Sequence, residues 1–182
     1  MQFIVLLRGI NVGGHNKIKM AELRAALSRA DFSAVQTYIQ SGNIILETKN
    51  SDPKKIASKV SEVIQSNFDL NVSALACTRD EIQAVLKNNP FQSDRYEERR
   101  QYFALLFTKP NPETVEKTDW KKHPNEELVL KDRVMYHYAA LGAAKSKWNN
   151  AILEKKLAVL STTRNLRTLR KLIELSSTDS KP

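Results

Sequence analysis

VQTYIQSGNIILET (residues 35–48) reads as two β-rich runs, VQTYIQ and NIILET, with only Ser41-Gly42 between them. That spacing describes a tight β-hairpin in which Gly42 takes a positive φ that a side chain would resist. A hairpin makes its strands antiparallel, so the fold turns on what flanks it. Upstream, FIVLL at 3–7 is an apolar strand, and Met20, Leu23, Leu27 and Ala30 recur at the spacing of an amphipathic helix. Downstream, Asp52-Pro53 is an N-cap followed by proline in the first helical turn, and Ile56, Val60, Val63 and Ile64 mark the buried face of a second helix ending near Asn67. VSALACT at 72–78 is a strand, and Thr78-Arg79-Asp80-Glu81 is a capping box opening a helix through about Lys87. The order βαββαβ is the split βαβ, ferredoxin-like unit: a four-stranded antiparallel sheet with both helices on one face.

The remainder looks like a second copy. QYFALLFT at 101–108 repeats the first strand's character, Asn111-Pro112 caps a short helix, and EELVLK and RVMYHY form a hairpin around Lys131-Asp132. Helices at about 146–157 and 164–175 close the chain. The expected fold is therefore α+β and tandem ferredoxin-like, βαββαβ followed by βαββ plus C-terminal helices, with antiparallel sheets carrying helices on one face. Residues 1–90 form the N-terminal subdomain and 100–182 the C-terminal one, with the charged, irregular NNPFQSDRYEERR between them.

Composition excludes several classes. At 182 residues, 41% hydrophobic and 27% charged, the chain has the make-up of an ordinary globular protein. It has no apolar run of membrane-spanning length and no signal-peptide pattern, which makes the cytoplasm the expected compartment and a membrane partner unexpected. The single cysteine, Cys77, reads as a buried structural thiol, and three histidines without ligand spacing argue against a metal site; no cofactor is implied. The net charge is +9, and from Ala143 onward nine basic residues face three acidic ones. Such asymmetry suits an anionic partner or simply a solvated basic helix.

The strongest functional hint is RGINVGGHNK (residues 8–17), which holds three of the five glycines beside Arg8, Asn11, Asn16 and Lys17. A loop leaving a strand and feeding a helix aims backbone N–H groups at whatever lies before the helix, and Gly13-Gly14 could form an anion nest of alternating backbone hands. Neither standard nucleotide signature is met: His15-Asn16 stand where a P-loop needs Lys-Ser/Thr, and the glycines at 9, 13 and 14 do not fit G-x-G-x-x-G. The plain alternative is that these glycines only shape a crossover turn. Near the C-terminus, Thr163-Arg164-Asn165 falls at the expected start of the last helix with Thr163 as a possible N-cap, and Arg164, Arg167 and Arg170 recur every three residues as a basic stripe.

RGINVGG after an apolar strand, Met20-Ala-Glu-Leu23, Thr37-Tyr38-Ile39-Gln40-Ser41-Gly42-Asn43, and Thr163-Arg164-Asn165 with Thr168 together resemble the bacterial family known as domain of unknown function 1697. The resemblance runs from Met1 to about Leu175 and implies a small α/β protein with ferredoxin-like parts and a shared, unassigned site. It implies no activity. The motifs at 8–14, 37–43 and 163–168 are expected to meet in space, the first two because strands one and three are the central pair of such a sheet.

The leading reading is a small anionic ligand, phosphorylated or nucleotide-like, bound by Arg8, Asn11, Gly13, Gly14, Ser41, Asn43, Arg164 and Asn165. Catalysis has thinner support, with only His15, Glu22, Tyr38 and Ser41 as candidate acid, base or nucleophile, so whether the chain is an enzyme stays open. A nucleic-acid module using the basic C-terminal helix is the second reading, although NIILET has no aromatic to stack a base and FIVLL has only Phe3. A homodimeric interaction protein built on exposed sheet edges is the third.

Overall fold

The computed structural model describes residues 1–120 and 123–177. The chain divides into two compact units, one of residues 1–83 with the C-terminal segment from Lys171, the other of residues 84–170.

The first unit begins with β1 (Gln2–Leu7), α1 (Met20–Arg29), β2 (Ser33–Tyr38) and β3 (Asn43–Glu47) and continues with α2 (Pro53–Phe68), β4 (Ala74–Cys77) and the start of α3 (Arg79–Lys87). Its sheet has the order β2-β3-β1-β4, with every pair antiparallel. Phe3, Val5 and Leu7 alternate along β1 toward the helices, where they pack with Leu23 and Leu27 of α1 and with Ile56, Val60 and Ile64 of α2. Ile4, Leu6 and Ile45 on the opposite face are buried as well, which is why FIVLL reads as an unbroken apolar run instead of an alternating one. Both expected caps form: Asp52 accepts from the Lys54 amide at 2.9 Å, and Thr78 and Glu81 exchange the reciprocal bonds of a capping box at 3.2 and 2.8 Å. Cys77 is buried.

The hairpin is looser than its sequence suggests. Tyr38 pairs with Asn43, so residues 39–42 form a four-residue connection, with Ile39 at φ 50° and Gly42 at φ 71°. Gly42 is required by packing as much as by conformation: a Cβ there would lie 2.6 Å from the Leu7 Cβ and 2.9 Å from the Ile10 Cδ1.

The second unit holds β5 (Gln101–Leu106), α4 (Pro112–Lys117), β6 (Glu126–Lys131), β7 (Val134–Ala139), α5 (Asn150–Leu157) and β8 (Ser161–Asn165). Its sheet order, β6-β7-β5-β8, repeats that of the first unit element for element. Here the sequence reading needs correction. STTRN is not the start of a helix but an edge strand paired with β5 from Tyr102↔Asn165 to Leu106↔Ser161, so the second copy is a complete βαββαβ followed by α6 (Leu166–Leu175). The misreading has a physical cause. Five mostly polar residues lack the apolar alternation that announces a strand, and only pairing with β5 makes them one. The cap of α6 is likewise Asn165, whose Oδ1 accepts from the Thr168 amide at 2.8 Å, and not Thr163. The helix expected from residue 146 starts at Asn150, capped by Asn149.

Candidate functional site

The loop between β1 and α1 is built by its own amide side chains. Val12 and His15 form an isolated antiparallel bridge, with Gly13-Gly14 as the two-residue bend between them and the His15 amide donating to the Val12 carbonyl at 3.0 Å. Below the bend, the Asn11 amide donates to the Asn16 carbonyl at 3.2 Å, and Asn16 Nδ2 donates to the Gly9 carbonyl at 3.0 Å. Gly9, Asn11, Gly13, Gly14 and Asn16 all have positive φ, which explains the residue types: glycine carries no penalty there and asparagine tolerates the left-handed region better than other side chains. Because Gly13 and Gly14 are both left-handed, they do not alternate as an anion nest must, and the nest expected from sequence is replaced by a miniature hairpin tip.

Asn11 fastens this loop to its surroundings. Its Oδ1 accepts from the Ile18 amide at 2.9 Å, while Nδ2 donates to the Ile18 carbonyl at 3.0 Å and to the Gln40 carbonyl at 2.8 Å. The structure thus brings the 8–17 loop against the 39–42 loop. Asn43, fully buried, holds the latter by donating to the Tyr38 carbonyl at 3.1 Å and to Ser41 Oγ at 2.9 Å. Arg8 leaves the end of β1 half-buried, its amide donating to the Ser73 carbonyl at 2.9 Å. Around the tip Gly13, Gly14, His15, Lys17 and Lys19 are exposed, Lys19 pairing with Glu22 at 3.1 Å, and Val12 at 64% and Ile39 at 50% are exposed despite their apolar side chains. No side chain caps α1, whose N-cap position is Lys19.

Arg164 and Asn165 belong to β8 of the second unit. Arg164 is 7% exposed, and its Nη1 donates to Thr162 Oγ1 at 2.8 Å and to the Thr163 carbonyl at 2.9 Å. Burial pushes its pKa down to about 10, which still leaves it a cation at neutral pH. The expected stripe of Arg164, Arg167 and Arg170 therefore does not exist: the first is a buried strand residue, and the last makes a two-pronged pair with Glu98 at 2.6 Å on each arm. That pair holds the Glu98 carboxyl below its usual range and raises the Arg170 guanidinium.

A second constellation, in residues the sequence reading passed over, lies at the base of the β6–β7 hairpin. Glu126 Oε2 faces His137 Nε2 at 2.9 Å and accepts from Ser146 Oγ at 2.6 Å, while its Oε1 accepts from the Lys147 amide at 2.8 Å. Burial drives the His137 pKa down against the opposing pull of Glu126. For Glu126 burial works upward, but the Lys147 amide, Ser146 and His137 together outweigh it and the net shift is downward. Hydroxyl, carboxylate and imidazole are the parts of a nucleophilic triad, but their order is wrong for one. The carboxylate sits between the other two, Ser146 Oγ is 3.5 Å from His137 Nε2 and also accepts from the Trp148 amide at 2.9 Å, and a carboxylate held by three donors is a poor base. The arrangement is a clasp fixing residues 146–148 to the sheet. Among the described residues no group of three or more His, Cys, Asp or Glu could hold a metal ion, and no helix is long and apolar enough to cross a membrane.

The model of a family described as a protein of unknown function, DUF1697, matches residues 1–136. Among solved structures, the chain resembles a conserved bacterial protein, SP0830 from Streptococcus pneumoniae, at 26% identity and a TM-score of 0.69, covering 96% of this chain and 97% of that one. No curated protein matches.

Proposed function

The chain belongs to the DUF1697 family, whose description carries no activity, and we propose that it binds a small anionic ligand, phosphorylated or nucleotide-like, at the face formed by the 8–17 and 39–43 loops. The observation that carries this reading is the cost of the loop. Three residues with a Cβ, Asn11, Asn16 and the β-branched Ile39, are held left-handed beside the left-handed Gly9, Gly13 and Gly14. Left-handed backbone costs about 1–2 kcal/mol for each residue with a Cβ, and strain of this sort collects where a surface must be pre-shaped for a ligand. A connection needed only to reach α1 has no use for it.

The charge around the loop supports an anion: Arg8, Lys17 and Lys19 stand on or beside it, and Glu22 is already paired with Lys19. Asn11 and Asn43 shape the face, Gly13 and Gly14 present its backbone, and Ser41 lies where the two loops touch. Arg164 and Asn165 belong to β8, in the other unit, and serve as controls.

A thermal-unfolding screen with nucleotides, sugar phosphates and simple anions tests the reading. A ligand at a hundred times its Kd stabilises the native state by about 2.7 kcal/mol. We expect a stabilising compound for the wild type, no response in Arg8→Ala, and a weakened one in Asn11→Ala, with Arg164→Ala responding as wild type. No stabilisation by any compound, or an equal response from Arg8→Ala, rejects the site.

A further inference from the structure

The connection at 88–100, which the sequence marks only as charged and irregular, is ordered around two buried amides of the second unit. Asn89 and Gln101 are 8% and 2% exposed, and Asn89 Nδ2 donates to Gln101 Oε1 at 2.8 Å. Backbone groups fix which way round each amide sits. The Phe91 N–H, which can only donate, gives its proton to Asn89 Oδ1 at 3.1 Å, and Gln101 Nε2 donates to the Phe91 and Tyr96 carbonyls at 2.9 and 3.3 Å. A primary amide nitrogen carries two protons and a carbonyl oxygen two lone pairs. The pair therefore keeps one N–H on Asn89 and one lone pair on Gln101 that meet no protein partner among the described residues.

Both amides line one pocket of about 570 Å³, whose lining lies wholly within the second unit. Pockets of about 300–1,000 Å³ hold small organic ligands. Leu86, Phe91, Tyr96 and Leu166 supply its apolar lining. Its polar wall is held in shape by local bonds: Gln92 Nε2 ties the connection back to α3 by donating to the Lys87 and Asn89 carbonyls at 3.2 and 2.8 Å. Tyr96 packs against Phe91 with ring centroids 4.9 Å apart, and its hydroxyl donates to Glu127 Oε2 at 2.8 Å. The charged lining residues are Lys87, Asp94, Glu98 and Arg170, two of each sign, and Glu98 and Arg170 already satisfy one another. The lining thus carries no net charge, unlike the basic loop face of the first unit.

We infer that this pocket binds a nucleoside by its base. Each nucleobase has an edge on which a hydrogen-bond donor stands beside an acceptor, and asparagine and glutamine amides read such edges. The spare Asn89 N–H donates to the acceptor of that edge and Gln101 Oε1 accepts from its donor, while the ring covers the apolar lining. A simple amide offers the same edge but has no ring to bury. The site is separate from the loop face of the first unit, requires no phosphate and does not depend on that reading.

The test is a titration of the isotope-labelled full-length protein with uridine, cytidine, adenosine and guanosine, read by nitrogen–proton NMR, with ribose and acetamide as controls. At least one nucleoside should give saturable shifts centred on the Asn89 side-chain amide and on residues 86–101. Ribose should give none, and acetamide should bind about ten-fold more weakly or worse, for want of an apolar ring to bury. Asn89→Asp replaces the spare N–H by an oxygen and should weaken the nucleoside by about five-fold or more, the worth of one hydrogen bond. Arg8→Ala should leave the affinity within about two-fold, since one pocket in the second unit is being read. If Asn89→Asp fails to fold, the location of the wild-type shifts decides alone. No saturable shift with any nucleoside, shifts centred elsewhere, equal binding of ribose or acetamide, or an unchanged affinity in a folded Asn89→Asp overturns the proposal.

Discussion

The two units share one strand order and one connectivity, yet they spend their polar residues in opposite ways. In the first, β1 and α1 are joined by residues 8–19, an elaborate loop whose asparagines bond its own backbone and, through Asn11, the Gln40 carbonyl. In the second, the equivalent connection is residues 107–111, a short run leading into the Pro112 start of α4. What that unit has instead are buried charged and titratable side chains: Glu126, His137 and Arg164. A ferredoxin-like frame fixes where strands and helices go and leaves its connections and inner positions to be used independently. The first unit therefore presents a shaped backbone surface and the second a set of enclosed ionic contacts.

The contrast can be broken by substitution. The largest effect should come from Glu126→Ala, which leaves the Lys147 amide, Ser146 and His137 without their acceptor; removing one member of a buried, hydrogen-bonded ionic cluster costs about 3–5 kcal/mol, and urea unfolding would measure it. A loss below ~1 kcal/mol would mean that the clasp is dispensable and that the second unit is not held by its enclosed charges. Next comes Gly42→Ala in the first unit. It places a methyl group against Leu7 and Ile10 at a positive φ, for an expected cost of about 2 kcal/mol by overpacking and strain. A neutral result would show that the meeting of the two loops is tolerant and not shaped.

The smallest effect, and the one that sharpens the contrast most, is on pH dependence. His137 has a lowered pKa in the folded protein, so the unfolded chain binds its proton more readily. The stability this contributes is fully present above the unfolded value near 6.5 and is lost as pH falls through the depressed folded one. Urea midpoints should therefore fall between pH 7 and pH 5, and His137→Gln should flatten that part of the profile. An unchanged slope in the variant would remove the histidine as its source.

Much of this architecture could be read from local chemistry. Asp52-Pro53, the Thr78-Glu81 box and Asn111-Pro112 announce helix starts through bonds between near neighbours, and each forms as the sequence suggests. The apolar spacings of α1 and α2 and the hairpin between them yield the first sheet for the same reason. The eighth strand was not legible, because Ser161–Asn165 has no pattern of its own and becomes a strand only beside β5. The composition of the glycine loop marks it out in the sequence, but its form, a hairpin tip stapled by Asn11 to the Gln40 carbonyl, depends on a neighbour 29 residues away.

The side-chain clusters were less legible still. Register sets Glu126 against Ala139, so His137, two residues earlier on β7, becomes its diagonal neighbour on the same face of the sheet; Ser146 arrives from the following turn. Glu98 meets Arg170 across 72 residues. Helix caps, turns and apolar periodicity are encoded within a few residues, so the sequence by itself determined the order of the elements as far as β7 and the ferredoxin-like plan of the first unit. Which charges are buried, which are paired and which stay unmatched was decided only by the tertiary structure, because a charge's partners are set by strand register and packing between residues far apart in the chain.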